Sequence, residues 1–108
     1  MEQINYEFAL ASTENKAKPI QQQILVGVVG SGDLEVMVEA NKLKPDTISI
    51  QIATSVDGMS HVWQALMQRI FADAGLPALQ IEINDFGATP GVVRLRLEQA
   101  LEELGLAK

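Results

Sequence analysis

The segment that most constrains this chain is Val26-Gly27-Val28-Val29-Gly30-Ser31-Gly32-Asp33-Leu34-Glu35-Val36. An unbroken apolar run ends at Gly30, an alternating run opens at Asp33, and a lone serine between two glycines joins them. Two strands connected by a tight turn, with Ser31 at its tip, satisfy that pattern. Glycine at 30 and 32 lets the backbone take positive φ on either side of the serine. It also removes the neighbouring side chains that would keep a large partner from the hydroxyl. That accessibility suits covalent attachment better than catalysis.

The rest of the chain extends the same alternation. Gln23 to Gly30 is apolar on both faces, the pattern of a strand covered on both sides or central in its sheet. From Asp33 to Ala40, Leu34, Val36 and Val38 point one way and Asp33, Glu35, Met37 and Glu39 the other. Asn41 to Asp46 is a connecting loop. In Thr47 to Thr54, Ile48, Ile50 and Ile52 point inward and Thr47, Ser49 and Gln51 outward. Ser60 is placed to cap a helix from His61 to about Ala74, with Val62, Trp63, Leu66, Ile70 and Phe71 on one stripe. Gly75 and Pro77 end it. Ala78 to Asn84 is a further strand, and Asp85 to Ala88 a turn. Thr89 and Pro90 open the last helix, whose buried stripe is Val93, Leu97, Ala100, Leu101 and Leu104, and Gly105 closes it. Ile4, Tyr6 and Phe8 alternate as a short edge strand, Ser12 to Pro19 reads as a loop, and residues 1–20 read equally as a loosely held arm. The expected architecture is one α+β domain over residues 1–108. It is a two-layer sandwich, a mostly antiparallel sheet of four or five strands with two helices on one face, in the order β-hairpin, β, α, β, α.

Composition narrows the function classes. The chain has no cysteine, which removes disulfides, thiolate metal sites and a cysteine nucleophile. A net charge of −6 argues against nucleic acid, which needs a basic footprint. That charge either steers the domain toward basic docking sites or only keeps it soluble. No apolar run approaches the ~20 residues that span a bilayer. No basic region followed by an apolar stretch marks a secretory signal, so the expected compartment is the cytoplasm, without membrane insertion.

Individual residues weigh mostly against enzyme chemistry. A Ser31–His61–Asp85 triad is conceivable, but Val29 and Asp33 stand where a nucleophile elbow needs glycines. His61 falls in a first helical turn, where a surface residue is the usual finding. Gly30-Ser31-Gly32 is too short for a phosphate loop and lacks its lysine. Asp33, Glu35 and Glu39 share a strand face, which without converging ligands is a solvated face and not a metal site. Trp63 and Phe71 read as core. Arg94 and Arg96 point roughly 200° apart on a helix. One of them can be half buried, its guanidinium reaching a phosphate or carboxylate, or can simply be a partly covered surface arginine. On pattern alone Ser31 also fits an ordinary turn residue.

The segment from Val26 to Val36 closely resembles the modification site of the malonate decarboxylase acyl carrier (delta subunit) family. Ile83-Asn84-Asp85-Phe86-Gly87-Ala88-Thr89-Pro90-Gly91-Val92-Val93-Arg94-Leu95-Arg96-Leu97-Glu98 resembles the same family. The citrate lyase acyl carrier (gamma) subunit is a more distant likeness, through the Ser31-Gly32-Asp33 turn and the Arg94 to Glu98 segment. The likeness covers about residues 24 to 105.

It implies that Ser31 carries, through a phosphodiester, a 2'-(5''-phosphoribosyl)-3'-dephospho-CoA group ending in a thiol. It implies acetyl and malonyl as thioester cargo, and a non-catalytic role within an enzyme complex. The implied partners are the acyltransferase (alpha) and decarboxylase (beta, gamma) subunits and a prosthetic-group transferase. Gly30 and Gly32 would support the attachment turn. Asp33, Glu35, Arg94 and Arg96 are candidates for partner docking. The alternatives are a citrate lyase carrier and an unmodified scaffold or interaction domain.

Overall fold

The computed structural model describes residues 1–10, 20–71 and 75–106. The alternating segments become strands β1 (Glu2–Ala9), β2 (Ile24–Gly27), β3 (Leu34–Ala40), β4 (Thr47–Thr54) and β5 (Leu79–Asp85), with helices α1 (Ser60–Phe71) and α2 (Pro90–Glu103). They form one five-stranded sheet in the order β1-β4-β5-β3-β2. Every neighbouring pair is antiparallel except β4 and β5, which are parallel. Parallel neighbours need a crossover, and α1 lies in it. The expected α+β sandwich is therefore present, with one parallel pair in a mostly antiparallel sheet.

The core lies between the sheet and its helices. Ile81 of β5 is paired with Ile50 of β4 and Val38 of β3, and Ile83 with Ile52 and Val36. All six are buried, because β5 is central and period-2 alternation turns these side chains to the helix side. The opposite sheet face carries Glu35, Met37, Glu39, Gln51 and Glu82. Helix α2 lies over β2 and β3, while α1 packs beside α2 and reaches β1. There the Phe8 and Phe71 rings are 6.4 Å apart, and the Tyr6 hydroxyl donates to the Ser60 carbonyl at 2.7 Å.

Several boundaries differ from the sequence reading. Gln23 to Gly30 is not a central strand. Only Ile24–Gly27 pair, with β3 alone, and β2 is the sheet edge. Its apolar sequence misleads because Leu25, Val28 and Val29 face solvent, 63%, 56% and 61% exposed. Of the two readings of the N-terminus, residues 2–9 take the edge strand and not the loose arm, since all eight pair with β4 at the sheet edge. Asp85 is the last residue of β5, not part of a turn. Helix α1 starts at Ser60, and the carbonyl of Met59 accepts the Trp63 N–H at 3.1 Å, so Met59 and not Ser60 holds the cap position. The buried stripe of α1 is Trp63, Met67 and Phe71, with Val62, Leu66 and Ile70 half buried at its margin. Met67, fully buried, was absent from the expected stripe although it lies four residues from Trp63. The Ser12–Pro19 loop and the extension of α1 to Ala74 fall outside the described residues, apart from Phe71 and earlier.

Helix α2 ends as expected. Gly105 takes φ +74, its N–H bonds the Glu102 carbonyl and the Leu106 N–H bonds that of Leu101, which is the Schellman pattern.

Two substitutions separate core from surface. Met67→Ala is expected to cost about 2–5 kcal/mol of unfolding free energy, and Leu95→Ala, 60% exposed on α2, to stay within about 0.5 kcal/mol. Urea denaturation of both variants checks this.

Candidate functional site

Ser31 stands at the end of the molecule where β2 stops and β3 begins. Gly27 makes the first bend. Its φ is +95, and a Cβ there would lie 2.0 Å from the Leu34 carbonyl oxygen, so only glycine fits. Val28 keeps one last bond, N–H to the Leu34 carbonyl at 3.1 Å. A four-residue turn then runs from Gly30 to Asp33, closed by the Asp33 N–H on the Gly30 carbonyl at 3.1 Å. Gly32, the third residue of that turn, takes φ +79, as a type II turn requires. Gly30 does not take positive φ, contrary to the sequence expectation. The positive angles fall at Gly27 and Gly32, because the chain bends once on leaving β2 and once inside the turn. What Gly30 and Gly32 share is empty surroundings, with nothing within 4 Å of a Cβ at either. Ser31 between them is exposed.

The tip is open but its base is held. The Gly32 N–H donates to the Phe86 carbonyl at 2.7 Å, and the Phe86 N–H donates to the Asp33 carbonyl at 2.9 Å. These bonds join the turn to the segment linking β5 and α2. The Asp33 carboxylate adds a third tie. Arg96 of α2 donates to it twice, Nε to Oδ1 at 3.1 Å and Nη2 to Oδ2 at 2.7 Å, with both side chains only 24% exposed. A planar guanidinium matched to a carboxylate gives direction as well as attraction. The Leu34 N–H also donates to Oδ1 at 2.7 Å. The Arg96 guanidinium, helped by that N–H, holds the Asp33 carboxyl below the usual carboxylate range, and Asp33 in turn raises Arg96.

The segment gripping the turn is itself anchored. Asp85 is buried; Oδ2 accepts the Thr54 hydroxyl at 2.8 Å and Oδ1 the Ala88 N–H at 3.0 Å. Thr89 then caps α2, its hydroxyl accepting the Val92 N–H at 3.3 Å. That fixes the helix carrying Arg96.

Three comparisons with known proteins bear on this arrangement. A family model described as malonate decarboxylase delta subunit matches residues 21–104, a span that holds the turn and every group gripping it. The chain belongs to that family. Proteins named malonate decarboxylase acyl carrier protein are similar to it throughout. The one from Pseudomonas syringae pv. syringae is 52% identical over 97% of this chain and 98% of its own. The Azotobacter vinelandii protein is 50% identical over 96% and 97%. One chain of a crystal structure of a Pseudomonas malonate decarboxylase hetero-tetramer in complex with malonate superposes with a TM-score of 0.82. It is 50% identical, over 97% of this chain and all of that one.

Within this delta-subunit fold the remaining candidates separate. Arg94 and Arg96 diverge as their spacing requires: Arg96 reaches Asp33, and Arg94 points outward to Glu98 at 2.7 Å, both more than half exposed. Glu35 lies on the helix-free face, where it accepts from Asn84 Nδ2 at 3.3 Å. Asp33, Glu35, Arg94 and Arg96 therefore do not form one cluster. Glu39 accepts from Gln23 at 3.1 Å, and no group of three metal-ligating side chains converges among the described residues. Asp85, spent on Thr54 and Ala88, is not oriented toward an imidazole, and His61 is exposed at the start of α1. Sequence reasoning missed Gly27, Thr54 and Phe86 as supports. Only Gly27 carried a local signal, a glycine inside a strand pattern.

Two measurements test this support. Gly27→Ala is expected to cost about 3 kcal/mol or more, through clash and strained φ, whereas Gly30→Ala changes stability by less than about 1 kcal/mol. Because the folded state lowers the Asp33 pKa, its contribution is complete above the unfolded value of about 3.9 and is lost as pH falls through the folded value. The stability difference between the parent and Asp33→Asn, followed by thermal unfolding, should be constant at neutral pH and shrink below about pH 4.

Proposed function

We propose that this chain is the acyl carrier subunit of a malonate decarboxylase, and that Ser31 is where its prosthetic group is attached. The observation carrying the reading is the Ser31 hydroxyl, exposed on a turn whose base is tied down and whose flanking residues have no side chains. A transferase can close over such a tip, and family membership agrees with the role. The residues present fit a phosphoribosyl-dephospho-CoA group, since nothing crowds the hydroxyl and the chain, lacking cysteine, has no thiol of its own. When bound, that group supplies the thiol on which an acyl cargo is held.

The chain's own part is to present and to hold still. Asp33, two residues from Ser31, has both carboxylate oxygens committed to Arg96 and the Leu34 N–H, so it is no base for the hydroxyl. The base therefore comes from the attaching enzyme. In attachment Ser31 Oγ would form the new O–P bond, its proton would pass to that base, and a phosphoanhydride bond of the activated donor would break, the displaced phosphate groups leaving with that bond's electron pair. With the arm in place, a small rigid domain visiting acyltransferase (alpha) and decarboxylase (beta, gamma) subunits replaces diffusion of a free thioester by effective concentration. Glu35 and Arg94, accessible and outside the clamp, are the side chains we assign to docking. Asp33 and Arg96 act there through the shape of the turn.

Intact mass of the protein from its own host, with peptide mapping across Gly30-Ser31-Gly32, tests the reading. The expected result is one phosphoribosyl-dephospho-CoA group on Ser31. Ser31→Ala should leave stability within about 0.5 kcal/mol while abolishing the added mass and the turnover of the reconstituted complex. A bare Ser31 in cells with active malonate decarboxylase would overturn the carrier role and leave a scaffold domain.

A further inference from the structure

Next to the Ser31 turn, a cleft of about 190 Å³ opens between α1, the segment after β4 and the start of α2. Its wall is mostly apolar, with Val62, Trp63, Leu66 and Val93 contributing side chains. Gly87 belongs to the same wall, and a Cβ on Gly87 would lie 4.0 Å from the Gly32 backbone nitrogen. The cleft thus borders Gly87, which lies against Gly32, the residue that follows Ser31.

We propose that this cleft is a resting site for the acyl end of the arm on Ser31, and that it accepts a neutral acetyl thioester but not a malonyl one. The inference rests on the reading of Ser31 as the attachment point. Size selects the end of the arm: whole organic ligands occupy sites of roughly 300–1,000 Å³, so this cleft takes a short acyl thioester and not a nucleotide. Chemistry selects the acyl group. Asp85 lines the cleft with oxygens already accepting from Thr54 and Ala88. A malonyl carboxylate would lose its hydration against a mostly apolar wall and meet the Asp85 carboxylate there. Acetyl has no charge to desolvate. A long arm folds back at small entropic cost, since closure entropy grows slowly with length, and tethering keeps the acyl end concentrated at the mouth. The acetyl-loaded carrier would store its thioester away from water, and exchange to malonyl would free the arm for the decarboxylating partner.

Methyl NMR of the full chain tests this, in the unloaded, free-thiol, acetyl and malonyl forms, each verified by intact mass. Methyls of Val28 and Val29, beside the turn, should shift in every loaded form. Those of Val62, Leu66 and Val93, with the indole of Trp63, the chain's one tryptophan, should shift in the acetyl form alone. Hydroxylamine should cleave the acetyl thioester roughly fivefold more slowly in the parent than in Val62→Phe, which fills the cleft; tethering at an effective concentration several times the local Kd gives that protection. A verified acetyl form without shifts at Val62, Leu66 and Val93, or a malonyl form with the same shifts, overturns the resting site and leaves the attachment reading standing. Shifts there that grow with concentration in unloaded protein assign the cleft to a second copy and also overturn it. A chain that gains no mass at Ser31 overturns both readings. Should Val62→Phe fail to fold, the spectra of the parent chain decide alone.

Discussion

Asp85 ties the sheet, the second helix and the serine turn together. Its backbone closes the β3–β5 and β4–β5 ladders opposite Leu34 and Thr54, and its carbonyl accepts the Ser55 N–H at 3.1 Å. Its buried carboxylate takes one donor from β4 and one from the residue entering α2. A buried carboxylate is tolerated when donors satisfy it and costly when they are removed. Here the donors also dictate where Phe86 and α2 lie. Phe86 then holds the base of the Ser31 turn, and α2 brings Arg96 to Asp33.

The consequence is a division of rigidity over a few residues. Gly32 and Asp33 are bonded to the rest of the fold, while Ser31 projects beyond those bonds with bare glycine on both sides. A carrier needs both properties. The attachment proposed at Ser31 would require an enzyme to reach around the hydroxyl, and delivery would require the tether's root to be fixed relative to docking surfaces. The exposed Leu25, Val28 and Val29 lie on the same edge of the sheet. Their apolarity made that segment resemble an interior strand.

Membership in the delta-subunit family agrees with this layout. The citrate lyase carrier is the more distant likeness, and the family match favours the malonate decarboxylase reading over it. The apolar cleft against Gly87 extends the picture. One end of the domain combines an open serine turn, a fixed base and a sheltered space. A charge-neutral cargo and a charged one would behave differently there, because an apolar wall beside a carboxylate penalises the charged one far more.

Much of this was legible in the chain. Period-2 alternation placed strands over Asp33 to Ala40, Thr47 to Thr54 and Ala78 to Asn84, close to the observed Leu34–Ala40, Thr47–Thr54 and Leu79–Asp85, and turned their isoleucines and valines inward, because side-chain direction in a strand is local. Thr89-Pro90 and Gly105 marked the ends of α2 for the same reason. Two glycines and a serine announced an accessible turn, and the lack of cysteine required any carrier thiol to come from outside. The tertiary structure alone decided that β2 is an edge, because apolar composition does not say which neighbours a strand will have. It alone joined Asp33 to Arg96, 63 residues away, and chose Arg96 over Arg94. It also buried Asp85 and opened the cleft beside Gly87. Those features arise where separate elements pack against one another, and no spacing within a single element encodes them.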